Sequence, residues 1–237
     1  MIIDLIYPRR CPACHDPVLP RRSDGRPALI CKNCSSSFSY VSNPVCAKCG
    51  KELESENDAF CSDCKEHEKF FAKNLALFNY DDVARESMVM FKYKGRREYA
   101  DYYAQELLKM HADYISSLGI ELIVPVPIHK SRREERGYNQ AAEIGERISK
   151  ALHIPMREDV LVRYKKTTAQ KKLSQAGRMR NLCAVMKVNY DLSNIGRILL
   201  VDDIYTTGST LDACSKVLLD AGCKEVFCVT VCIGKNS

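Results

Sequence analysis

The sequence has no long apolar run. Its longest apolar stretches, residues 197–201 and 226–233 of 237, have strand length and fall well short of the roughly 20 residues of a membrane-spanning helix, so no membrane insertion is expected. A secretory signal is also lacking, because residues 1–7 are too few and are interrupted by Asp4, which leaves no apolar core for such a segment. A cytoplasmic protein is expected, and in a reducing compartment paired cysteines are thiols open to metal rather than disulfides. No acidic tail is present. The composition, 46% hydrophobic and 28% charged, excludes wholesale disorder, collagen and coiled coil.

Aliphatic side chains are scarce in residues 1–72. Only nine Val, Leu, Ile, Met or Phe lie between Cys11 and Cys64, too few to offset roughly 1.5 kcal/mol of ordering entropy per residue. Cysteine takes their place. Eight of the 13 cysteines form four C-x-x-C pairs, Cys11/Cys14, Cys31/Cys34, Cys46/Cys49 and Cys61/Cys64. Such a turn points two thiolates at one ion, and two turns complete the four-sulfur shell of structural zinc, with no position left for a reacting water. A structural zinc contributes an apparent ~10 to 16 kcal/mol in small finger peptides, so metal would supply the missing core. Spacing does not say which pairs share an ion. One zinc plus idle or redox thiols also fits, as does iron–sulfur ligation, although the close cysteine run of bacterial cluster motifs is missing. His15 and His67 lie beside cysteine pairs and read as solvated. The expectation is a double zinc-ribbon-like module over residues 1–72, with one or two structural Zn2+ ions.

Ten basic and ten acidic residues cancel within residues 1–72, so residues 73–237 carry the whole formal charge of +6. Residues 130–180 alone hold 14 Lys and Arg against 6 Asp and Glu. That concentration suits an anionic partner, either a phosphorylated small molecule or a nucleic acid. From residue 74 onward the pattern predicts strands over residues 75–80, 122–126, 197–204 and 226–233, and helices over 83–93, 99–115, 139–152 and 209–221. In the third helix Ala141, Ile144, Gly145, Ile148 and Leu152 fall on one face. Such alternation predicts an α/β domain over residues 73–237, a parallel sheet covered on both faces by helices. Cys214, Cys223, Cys228 and Cys232 sit in these apolar segments and read as small core residues.

The sharpest feature is Ile198-Leu-Leu-Val-Asp-Asp-Ile-Tyr-Thr-Thr-Gly-Ser-Thr210. A buried strand delivers two adjacent carboxylates, Asp202 and Asp203, to its carboxyl end, the edge at which parallel sheets bind ligands. A turn then opens into a helix whose free N–H groups, with Gly208 for close approach and the hydroxyls of Thr206, Thr207, Ser209 and Thr210, make a phosphate cradle. No lysine follows the glycine, which excludes the loop of nucleotide triphosphatases. Carboxylates accept hydrogen bonds from sugar hydroxyls or hold Mg2+, so the stretch suits a ribose 5-phosphate.

This segment resembles the phosphoribosyl pyrophosphate (PRPP) loop of type I phosphoribosyltransferases: four apolar residues, two acids, then a Thr-Thr-Gly-x-[Ser/Thr] turn. The chain from Cys11 to Val231 resembles the ComF family, which joins a cysteine-rich zinc finger to such a domain and is associated with DNA uptake in competent bacteria. The resemblance is carried further by Phe91-Lys92-Tyr93, by Val124-Pro125-Val126-Pro127 leading to Arg133-Glu134-Glu135-Arg136-Gly137-Tyr138-Asn139-Gln140-Ala141, and by Thr167, Gln170, Leu173, Arg178 and Asn181. One departure is Val185-Met186 where Ala-Phe is usual, a change that touches packing.

What the resemblance implies is a type I phosphoribosyltransferase-like fold, PRPP with Mg2+ as ligand, and Mg-dependent phosphoribosyl transfer to an unknown acceptor. Departure of pyrophosphate demands cation density on the leaving side, for which Mg2+, Lys92, Arg132, Arg133 and Arg136 are candidates. Catalytic roles fall on Asp202, Asp203, Lys92 and Arg136. Contacts to PRPP fall on Thr206, Thr207, Gly208, Ser209, Thr210, Arg132, Arg133, Gln170, Arg178 and Asn181. Residues 163–181, with Lys165, Lys166, Lys171, Lys172 and Arg178, have little apolar periodicity and are expected to form a mobile hood that shields the activated sugar from water. The alternative is a non-catalytic accessory protein of DNA uptake that contacts single-stranded DNA or competence partners through the basic segment and the zinc module. Against it, residues 130–180 offer only Tyr138 and Tyr164 as stacking platforms.

Overall fold

A computed structural model describes residues 8–18, 27–165 and 175–234, the side chains of residues 175, 176 and 178 excepted. The centre is a four-stranded, all-parallel sheet. Its strands β1 (Lys73–Asn79), β2 (Leu122–Pro125), β5 (Arg197–Tyr205) and β6 (Glu225–Ile233) lie side by side in the order β1-β6-β5-β2. Between them run helices α2 (Asp82–Tyr93), α3 (Tyr99–Ser117), α4 (Lys130–Arg136), α5 (Gln140–Leu152), α6 (Gln175–Cys183) and α7 (Ser209–Asp220), after a short α1 (Ser62–Glu66) in the cysteine-rich segment. A separate antiparallel pair, β3 (Leu161–Arg163) and β4 (Met186–Val188), lies outside the main sheet.

Each strand of the sheet centre is apolar on both sides, as a sheet buried on both faces requires. In β5, Leu199 and Val201 join Leu107, Ile144 and Ile148 on the face covered by α2, α3 and α5. Ile198 and Leu200 point the other way, to Leu211, Cys214 and Leu218 of α7 and to Leu161 and Met186 of the small antiparallel pair. The helices begin where side chains satisfy their free N–H groups. The Asp81 carboxylate accepts from the Ala84 N–H at 2.9 Å, and Asn139 caps α5 while its amide donates to the Val126 carbonyl at 3.0 Å, which fixes α5 to the exit of β2.

The cysteine-rich segment straddles the β1 edge. Cys11, Val18, Ile30 and Phe38 pack into the core on the α3 face, whereas Cys46, Cys49, Cys61 and Phe71 pack into the core on the α7 face. The Val41 N–H donates to the Leu77 carbonyl at 2.9 Å and the Asn79 N–H to the Ser39 carbonyl at 2.8 Å, so residues 39–41 cover an edge that would otherwise present unpaired groups.

Several elements depart from the sequence expectation. Lys130–Arg136 is a helix with no buried residue, invisible to a reading that relies on apolar period. Arg163 and Asn181, the ends of the segment expected to form a hood, lie in β3 and α6, elements that its weak apolar period did not predict; β3 pairs with β4, about 25 residues downstream, and such non-local pairing leaves no local signal. Lys166, Gln170, Lys171 and Lys172 lie outside the described residues, as does the side chain of Arg178. The four late cysteines are buried as expected.

Candidate functional site

Asp202 and Asp203 stand near the carboxyl end of β5. The Asp203 N–H donates to Asp202 Oδ1 at 2.8 Å, and Lys92 Nζ, from the last turn of α2, donates to Asp203 Oδ1 at 2.7 Å. Both partners of this ion pair are largely shielded. Burial raises the Asp202 carboxyl, and the Asp203 charge adds to it, bringing it to about 7 although the Asp203 N–H and Lys92 oppose the rise. Burial pulls the Lys92 ammonium down, but the charges and hydrogen bond of Asp203, with Asp202 behind, outweigh it and hold the group above its ordinary value. The pair is therefore a carboxylate site short of positive charge, to which one lysine has moved in.

Immediately downstream, Thr206 and Thr207 are exposed and Gly208 and Ser209 are buried, with Thr210 between these extremes. Thr207 Oγ1 and Ser209 Oγ lie 2.9 Å apart. Gly208 has φ +73°, and a Cβ there would fall 2.3 Å from the Tyr205 hydroxyl, so only glycine fits. It opens α7 with no side chain capping the helix, which leaves the first N–H groups available to an anion.

The basic residues divide. Arg136 lies across the Tyr93 ring, 4.8 Å from its centroid, donates to the Tyr93 hydroxyl at 3.1 Å and to Gln140 Oε1 at 2.9 Å, and is close enough to Lys92 to act on its charge. Its Nε is buried without a partner among the described residues. Arg133 turns to Glu158, 2.9 Å away. Arg132 is exposed and is felt by Arg163. Asn181 is exposed on α6. Sequence reading missed Tyr93 as a partner of Arg136, and also Gln140; the signal available was their place in the motifs that carry Lys92 and Arg136.

The eight paired cysteines form two clusters by sequential pairing, Cys11/Cys14/Cys31/Cys34 and Cys46/Cys49/Cys61/Cys64, with the four sulfurs of each within 4.8 Å of one another. Cys14 Sγ and Cys31 Sγ are 3.8 Å apart, and Cys49 Sγ and Cys61 Sγ 3.6 Å. Four sulfurs about 2.3 Å from a central zinc form a tetrahedron with edges of about 3.8 Å, so the donor type and the spacing both fit. Burial and the neighbouring thiols push Cys31 and Cys34 up to about 12 and about 11, the consequence of crowding thiols that a dication would relieve. His15 is instead 3.0 Å from the Tyr99 hydroxyl, and His67 faces Asp63 at 3.4 Å.

Residues 2–65 match the double zinc ribbon domain and residues 139–237 the phosphoribosyl transferase domain. Competence protein F of Haemophilus influenzae is 32% identical over 206 residues, covering 83% of this chain and 87% of that protein. The chain belongs to the ComF family. Its ComF relatives include competence protein ComFC of Bacillus subtilis, 26% identical over 81% of this chain and 79% of that one. The DNA utilization protein YhgH of Escherichia coli is 27% identical over 84% and 89%. As a ComF protein the chain joins a zinc-binding double ribbon to a phosphoribosyltransferase domain, and the two cysteine clusters are its structural zinc sites. Among the described residues no helix is long and apolar enough to cross a membrane.

Proposed function

We propose that the chain binds PRPP with Mg2+ at residues 202–210 and transfers the phosphoribosyl group to an acceptor nitrogen. The anomeric C–O bond breaks, pyrophosphate leaves with the bonding electrons, a C–N bond forms, and the acceptor nitrogen gives up its proton. The observation that carries this reading is the half-buried acidic pair with its lysine, followed at once by a hydroxyl-bearing turn and an uncapped helix start. The uncapped N–H groups of α7 with Thr206, Thr207, Ser209 and Thr210 would hold the 5-phosphate. Asp202 and Asp203 would take the ribose hydroxyls or the metal; their oxygen donors suit magnesium, which when bound neutralises charge building on the diphosphate. Lys92 and Arg136 would face the leaving group, with Gln140 and Tyr93 orienting the guanidinium. Arg132 has the exposure to join them, whereas Arg133 would first have to leave Glu158. Gln170, Arg178 and Asn181 remain candidates for the closing side of the site.

The names of its relatives support a role in DNA uptake or DNA utilisation, with phosphoribosyl chemistry serving that process. A direct grip on single-stranded DNA finds less support. Of the two tyrosines available for stacking in the basic segment, Tyr138 is buried with its hydroxyl on the Phe91 carbonyl, which leaves the exposed Tyr164, and base stacking wants a series of such rings. The test of the PRPP site is calorimetry with PRPP and Mg2+. Binding should be Mg-dependent and lost in the Asp202→Asn/Asp203→Asn protein; binding that persists unchanged would remove the assignment.

A further inference from the structure

Tyr205 closes β5 between the acidic pair and the phosphate turn. Its ring is fully buried, meets Phe71 edge-on at 6.4 Å, and carries a hydroxyl with no partner among the described residues. Its hydroxyl end occupies the space that a Cβ on Gly208, the N-cap of α7, would need. The ring belongs to the same buried core as Cys46, Cys49 and Cys61, against which Cys64 packs. Phe71, against which the ring packs, follows seven residues after Cys64, and Lys48, between Cys46 and Cys49, lies 5.9 Å over the Phe71 ring. A second strut runs parallel to it. The Phe70 N–H, six residues beyond the last cysteine of that cluster, donates to Asp212 Oδ1 in the first turn of α7 at 2.6 Å. Lys69 is buried and reaches Asp63, between Cys61 and Cys64, at 2.9 Å. The first cluster has a different neighbour: there Tyr99 donates to the Cys11 carbonyl at 3.0 Å on the opposite face of the sheet.

We infer that Tyr205 is a positioning residue that couples the Cys46/Cys49/Cys61/Cys64 cluster to the phosphate loop, so that zinc held by this cluster and PRPP held by the loop strengthen one another. The inference rests on the PRPP reading of the loop. The chain that leaves the second cluster supplies the Phe70 N–H to the start of α7 and the Phe71 ring against which Tyr205 packs. An ordered cluster holds the ring and the Phe70 N–H where the loop needs them, and a loop ordered by phosphate holds the ring against the cluster. Coupling of this kind is reciprocal by thermodynamic necessity, so it can be read from the metal side without any turnover.

The experiment titrates the zinc-loaded full chain with a competing chromogenic chelator to equilibrium, with and without PRPP and Mg2+, alongside calorimetric PRPP binding. With PRPP present, one of the two zinc equivalents should be held about fivefold more tightly or tighter still, and the other with unchanged affinity. The Cys14→Ser protein, which keeps the second cluster intact, should retain the tightened site. Tyr205→Leu should bind PRPP more weakly and lose the PRPP effect on zinc affinity. PRPP that binds the parent protein yet leaves both zinc affinities unchanged overturns the coupling and spares the PRPP site; so does equal tightening in the parent and in Tyr205→Leu. Absence of PRPP binding to the zinc-loaded parent protein overturns the site reading and the coupling with it.

Discussion

Asp202 shows how a single residue carries an electrostatic cost. Burial and Asp203 raise its carboxyl to about 7, against about 3.9 in an unfolded chain. Between those values the native protein keeps a proton that the unfolded chain gives up, so this group removes stability as pH climbs from about 4 to 7. In ligand-free protein, Asp202→Asn should therefore melt at a higher temperature than the parent at pH 7 to 8, with the two curves converging near pH 4. A parent that melts as high as the variant at pH 8 would contradict the assignment. The twin acids, the turn hydroxyls and Gly208 were legible because they are contiguous. Tyr205 was overlooked within that same stretch, since one aromatic residue in an apolar strand gives no sign of what it touches.

At the level of elements, the main-sheet strands and the long helices followed from apolar period. The helix expected over 83–93 is Asp82–Tyr93, and the strand expected over 197–204 is Arg197–Tyr205. Lys130–Arg136 escaped because every side chain in it is polar, and helicity there owes nothing to burial. A tie between elements that no pattern could reveal is Asp101 on α3, which receives Arg9 of the cysteine-rich segment and Arg147 of α5. Burial raises Asp101, but the hydrogen bonds and charges of Arg9 and Arg147 more than offset it and hold the carboxyl below its ordinary range. A depressed carboxyl contributes stability that is present above its unfolded pKa and lost as pH falls through the folded one. The melting-temperature gap between parent and Asp101→Asn should be widest near pH 7 and close as pH drops below about 4. A gap independent of pH would mean that packing, not charge, accounts for it.

For the whole molecule, the two zinc clusters lie on opposite faces of one sheet, and each shares its packed core with that sheet. Phe78 of β1 stacks with Phe38 of the ribbon at 4.6 Å and with Tyr102 of α3 at 6.2 Å. The division at residue 72 expected from composition is thus a boundary in chemistry that the packing crosses. Stripping zinc with a strong chelator should lower the melting temperature of the phosphoribosyltransferase domain together with that of the ribbon, as one transition in calorimetry. Two transitions, with the later one insensitive to the chelator, would show that the ribbon is a passive appendage.

The sequence by itself determined what is written in consecutive residues: four C-x-x-C pairs, alternating strands and helices, and an acid pair running into a hydroxyl-rich turn. Each depends on local geometry, the reach of two thiols in one turn or the hydrogen bonds at one helix start. Only the tertiary structure decided which cysteine pairs cluster, that the ribbon folds over the β1 edge onto both faces, that Lys92 arrives at Asp203 from 111 residues away, and that Tyr205 shares a buried core with the second cluster while its hydroxyl lies by Gly208. Those are encounters between distant segments. Burial of apolar surface drives them, and because that force is non-directional, no spacing along the chain records them.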